Sequence, residues 1–196
     1  MLSWPKKMFL AFCLGLLTFT PWEIIMVKLG VVEFAYPNYL GLPWWIPLTF
    51  GLVVLGCVLL FTMADYLFKI QLNFNPNWLA FEYVLISLFY LSIFFFRQYP
   101  YLLSLGLFFV VLVRLIFFHE EMDFLFFVFG ACVGPTAEII LISLGLFSFS
   151  DPDFMGMPFW LPVFWGNVAL ALRRVAWVLT PRPVPGPPGQ GGLKGV

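Results

Sequence analysis

Acidic side chains inside apolar stretches are the residues from which chemistry can be read in this chain. Glu23 interrupts the run Met8–Val27, Glu138 the run Phe124–Leu144, Glu82 opens Leu79–Phe96, and Asp65 closes Trp44–Ala64. A carboxyl in hydrocarbon costs several kcal/mol and normally faces a protein interior, so each is a functional hypothesis by default. A protonated carboxyl in such a place can give a proton to an apolar substrate, where aromatic faces would stabilise the carbocation formed. Glu23 and Glu138 are the leading candidate proton donors; Glu82, Glu120 and Glu121 stand behind them. The structural alternative for the leading pair is that each caps backbone amides of the loop that follows it. For Asp65 and Glu82 it is contact with lipid headgroups. Arg114 is expected to pair at helical spacing with the acidic cluster Glu120-Glu121-Met122-Asp123.

Other chemistries are poorly provided for. One histidine, His119, is too few for a histidine-box iron site or bis-histidine haem, and its neighbourhood lacks the second histidine of a zinc-protease helix. Cys13, Cys57 and Cys132 stand singly in apolar runs, so neither a disulfide framework nor a metal site is indicated. No cofactor is called for. Net charge is zero without a basic block, which argues against nucleic acid.

The elements that must hold these acids are membrane helices. The 196 residues are 62% hydrophobic and only 10% charged, with mean hydropathy +0.99, whereas a water-facing domain is about one quarter charged. A hydrocarbon core roughly 30 Å thick takes about 20 apolar residues per helix. Cutting the chain at charges and Pro/Gly clusters yields six runs: the four above, Leu102–Phe118, and Phe159–Leu179. The sixth contains Arg173 and Arg174, which are expected to snorkel toward a headgroup region. An all-α, polytopic helical bundle of about six spans follows.

Lys6, Lys7, Lys69, Arg114, Arg173, Arg174, Arg182 and Lys194 fall to one side of such a bundle and Lys28 and Arg97 to the other. By the positive-inside rule both termini are cytoplasmic, as in a bacterial inner-membrane protein. The opening Lys6-Lys7 and its apolar run read as a retained first helix, since no small-residue cleavage site follows. Residues 180–196, with Pro183-Val184-Pro185-Gly186-Pro187-Pro188-Gly189, read as a disordered cytoplasmic tail.

The chain also repeats itself. At an offset of 115, Glu23-Ile24-Ile25 lies over Glu138-Ile139-Ile140, and the match continues without a gap through Gly30/Gly145, Pro37/Pro152, Gly41/Gly156, Pro43/Pro158, Trp45/Trp160, Pro47/Pro162 and Gly51/Gly166. Twelve of the 29 positions from Glu23 to Gly51 are identical, and Phe9, Leu10, Phe12 and Gly15 upstream also meet their like. This is an internal duplication. Unit one covers about residues 9–57, unit two about 124–172, and a central hairpin about 79–118 separates them. Both units enter the membrane in the same sense, so the repeat is parallel, and Glu23 and Glu138 must lie at equal depth. The Gly-x-Pro-x-Trp-x-Pro loops serve either as re-entry turns anchored at headgroups or as lids over a cavity between units. Trp22, Trp45, Trp160 and Phe127 are the aromatic candidates for contact with a ligand.

The stretch Glu23 through Gly51, with Phe34-Ala35-Tyr36-Pro37 and Leu40-Gly41-Leu42-Pro43-Trp44-Trp45-Ile46-Pro47, resembles the carotenoid hydratase type of integral membrane protein. The segment Phe118-His119-Glu120-Glu121-Met122-Asp123-Phe124-Leu125-Phe126-Phe127 is similar to the Glu-Glu and phenylalanine motif of the membrane lycopene cyclase domain. The same Gly, Pro and Trp pattern occurs in uncharacterised bacterial membrane families. Two departures stand out: His119 replaces a proline before the acids, and the first-copy counterpart Trp4-Pro5-Lys6-Lys7 has no acids. The resemblance implies protonation of a polyene carbon in a long isoprenoid or carotenoid-like lipid, then water addition or ring closure, without a redox cofactor. Two other functions fit the composition: a small proton-coupled transporter with Glu23, Glu138 and Glu82 as relay, and a non-catalytic subunit or homo-oligomer in a larger membrane assembly.

Overall fold

The computed structural model describes residues 3–68, 70, 78–118 and 120–180. His119, Lys69 and the stretch read as a tail beyond Thr180 lie outside the described residues. The described residues form six helices: α1 (Trp4–Lys28), α2 (Trp45–Leu67), α3 (Trp78–Phe96), α4 (Pro100–Phe117), α5 (Asp123–Ser143) and α6 (Leu161–Leu179). Each lies over one of the six apolar runs, because uninterrupted apolar sequence in lipid must satisfy its backbone internally. The chain is a multi-pass helical membrane protein, and α1 to α5 are each long and apolar enough to cross a bilayer.

The sixth helix is different in kind. It carries Asn167, Arg173 and Arg174, and it touches all five other helices, so it is the axis about which they pack. From Gly166 to Arg174 every residue is buried. Arg173 and Arg174 are 0% and 2% exposed; they do not snorkel. Carboxylates come to them instead. Arg173 bonds Asp123 at 2.9 Å and Asp65 at 3.1 Å, and Arg174 bonds Asp123 at 2.6 Å and Glu82 at 3.1 Å. Arg114 of α4 reaches both oxygens of Glu82 on α3, at 2.5 and 2.6 Å, rather than the acidic cluster after its own helix. Asp65 and Glu82 are therefore buried ion-pair partners and not headgroup contacts. Among the described residues, three arginines and three acids from α2, α3, α4, α5 and α6 pair with one another in one network, the arrangement that lets charge sit inside a bundle.

The duplication is visible in the backbone. Each unit is a helical hairpin, α1–α2 and α5–α6, and each hairpin closes where a helix meets a neighbour's backbone with no side chain between. A Cβ on Gly15 would stand 2.5 Å from the Phe50 carbonyl oxygen, and one on Gly130 would stand 2.7 Å from that of Trp165; both pairs are related by the 115-residue offset. After each first helix a glycine turns the chain at positive φ, 63° at Gly30 and 69° at Gly145. The chain then enters a short strand, β1 (Val32–Phe34) or β2 (Phe147–Phe149), and the two strands pair antiparallel with Glu33 opposite Ser148. Glu33 and Ser148 are themselves repeat equivalents, so the pairing is centred on a local two-fold axis. The loops beyond match as well, with bridges Tyr39 to Leu42 and Phe154 to Met157. The repeat thus closes on itself over one end of the bundle.

Candidate functional site

Glu23 and Glu138 each sit five residues before the end of their helices (28 − 23 and 143 − 138). Equal depth and the two-fold arrangement bring them to the wall of one cavity of about 300 Å³ between the hairpins, beneath the paired strands. Phe34, Phe147 and Phe149 from the strand region cover one end, and Tyr90 of α3 closes a side. Trp45 and Trp160, equivalent positions in the repeat, both line it. The remaining wall is hydrocarbon and aromatic ring, apart from the hydroxyl of Thr49, which donates to the Trp45 carbonyl at 3.0 Å. The site's polar repertoire is consequently two carboxyls, a phenol and three indoles.

The two halves are not chemically equal. Trp165 donates its indole N–H to Glu138 at 2.5 Å. Its repeat equivalent is Phe50, which has no donor, and the Glu23 carboxyl makes no hydrogen bond to any described residue. Both glutamates are half-buried. Tyr90 lies within electrostatic reach of both, and its ring is held by stacking on Trp22 at a centroid distance of 5.0 Å with planes 2° apart.

The other sequence candidates are dispersed. Trp22 supports Tyr90 from outside the wall. Phe127 is a packing residue: its ring lies on Gly166 of α6, as that of Phe12 lies on Gly51 of α2, and it is not among the cavity's lining residues. Glu82 is occupied by Arg114 and Arg174 and lines a separate, smaller cavity of about 170 Å³ between α1, α3 and α6. Glu120 and the exposed Glu121 precede α5, about 22 Å along that helix from Glu138 at 1.5 Å per residue. The Glu120 amide donates to the Asp123 carboxylate at 2.9 Å, which ties the residues before α5 to its first turn. No group of histidine, cysteine and acidic residues suited to a metal ion occurs among the described residues.

Tyr90 and Trp165 are the site residues that sequence reading does not single out. A signal for Trp165 exists in the repeat alignment, where it faces Phe50 one residue before the shared glycine. For Tyr90, on the central hairpin outside the repeat, there is none.

No protein-family model and no curated protein matches the chain. Among solved structures, the fold is similar to that of a mycobacterial Insig homolog, MvINS from Mycobacterium vanbaalenii, with a TM-score of 0.73 and 18% sequence identity over 91% of this chain and 97% of that one. A cross-linked MvINS trimer matches to the same degree. At that identity the likeness establishes the arrangement of helices, over nearly the whole of both chains.

Proposed function

We propose that this protein binds a long apolar lipid of the isoprenoid type in the cavity between its two repeat units. The observation that carries the reading is the cavity itself: about 300 Å³, walled by aliphatic and aromatic side chains, with two carboxyls as its strongest polar groups. A pocket that is mostly apolar with a few placed polar groups is the usual form of a small-molecule site. The scarcity of polar lining weighs against a path for a hydrated solute. The catalytic extension, in line with the hydratase and cyclase resemblance, has Glu23 or Glu138 give its proton to an alkene carbon of the bound lipid. The ring faces of Tyr90, Trp160 and Phe34 then stabilise the cation until water or an internal double bond captures it, and the cation so formed loses a proton to the glutamate carboxylate, which restores the acid. We place both termini on the cytoplasmic side from the lysine and arginine distribution, and take self-association, the state in which MvINS was cross-linked, as the partner reading.

The test is to purify the protein in mild detergent, extract it with organic solvent and identify bound molecules by absorption and mass spectrometry. A polyene or prenyl lipid at about one per chain is the expected outcome, and phospholipid alone would overturn the proposal. If the bound lipid is turned over, Glu23→Gln and Glu138→Gln should retain it while product formation falls. Undiminished product formation in both variants would refute the acid chemistry.

A further inference from the structure

The inequality of the two half-sites identifies which end of a ligand each receives. Duplication supplies an internal control: the same glutamate, at the same depth, appears once with a donor and once without. One oxygen of Glu138 accepts from the Trp165 indole. Glu23 lines the same cavity, and the equivalent position carries Phe50, which lines it too but offers only a ring. A carboxyl in low-dielectric surroundings with its hydrogen bonds unmade is costly, and the cost is recovered when a partner arrives. The nearby polar side chains do not supply one: Thr49 donates to a backbone carbonyl, and Tyr90 makes no hydrogen bond to Glu23. Carboxyl oxygens accept a hydrogen bond whether or not the group is ionised, so the demand at Glu23 is for a donor in either state.

We infer that Glu23 is the specificity-determining residue of the cavity and that the ligand is a lipid carrying a hydroxyl or other hydrogen-bond donor at one end, which donates to Glu23 while the hydrocarbon lies along the Glu138 half. The orientation follows from the same asymmetry, since Glu138 already has its donor and Phe50 presents apolar surface beside the ligand's polar end. This inference rests on the lipid-binding reading above, and goes beyond it in assigning the ligand's functional group, its direction and the residue that reads it.

The test compares two probes that differ only in a donor, tritiated geranylgeraniol and its methyl ether, for binding to the full chain in detergent micelles. The wild type should bind the alcohol about tenfold more tightly than the ether, the worth of one buried hydrogen bond to a strong acceptor. Glu23→Leu should bring the two probes within about twofold of each other by weakening the alcohol alone, whereas Glu138→Leu should keep the preference. Phe50→Trp, which gives Glu23 the indole its counterpart has, should also reduce the preference without loss of ether binding. Equal binding of the two probes by the wild type would overturn the inference while leaving the lipid site intact, as would a preference that survives in Glu23→Leu. Failure of the wild type to bind either probe would instead bring down the lipid-binding reading, and this inference with it.

Discussion

Arg173 shows how one residue can be legible in type and illegible in role. In the sequence it is a charge in a hydrophobic run, for which snorkelling is the general solution. In the folded chain it is fully buried, bonded to Asp123 and Asp65, with its guanidinium 4.3 Å from the centre of the Phe126 ring. Its partners lie 50 and 108 residues away, and hydropathy carries no information about pairs so distant. Removing one member of a buried pair leaves the other uncompensated, which costs about 3–5 kcal/mol. Arg173→Leu should therefore lower the unfolding free energy by about that amount, measured by denaturant titration in mixed micelles with wild type alongside. Asp123→Asn should cost a similar amount, because Asp123 accepts from both Arg173 and Arg174. An Asp123→Asn variant as stable as the wild type would show that this carboxylate does not hold the two arginines in the bundle.

At the scale of elements, the six helices were readable to within a few residues because apolar length is a property of the local sequence. The helix-loop-helix repeat was readable because a gapless alignment reports structural equivalence directly. The pairing of β1 with β2 was not, since strands of three residues carry no periodicity and their partner is 115 residues away. The burial of α6 was equally hidden: its composition describes a poor span, and only the acids of three other helices explain it. The glycine contacts that close each hairpin make the element-scale prediction. Gly15→Ala and Gly130→Ala place a methyl against a backbone carbonyl that cannot turn aside, so each should destabilise the protein by about 1–3 kcal/mol, the usual cost of overpacking. Gly106→Ala meets nothing within 4 Å and should leave stability unchanged or slightly raised, as expected for glycine replaced inside a helix. Thermal unfolding followed by circular dichroism in one detergent separates the three variants. A loss at Gly106 equal to that at Gly15 would show that helix approach is not what these glycines provide.

For the whole molecule, the decisive relation is between the duplication and the membrane. Two hairpins related by a two-fold axis along the membrane normal must present equivalent residues at one depth and on one side, which is how the glutamates come to share a cavity and the strands to share a sheet. That relation holds only if α2 and α6 cross in the same sense. α6, whose composition falls short of a span, must then traverse the bilayer inside a sheath of the other helices rather than lie in one leaflet. The consequence can be measured. With Cys13, Cys57 and Cys132 replaced by serine, single cysteines introduced at Glu33 and Ser148, both in the paired strands, should react with a membrane-impermeant maleimide from the same side of sealed cells or vesicles. Cysteines at Ser3 and Glu121, exposed positions at or near the starts of α1 and α5, should react only from the opposite side. If Glu33 and Ser148 label from different sides, the repeat is inverted with respect to the membrane. The two glutamates would then lie at different depths, and a single cavity between equivalent half-sites could not form.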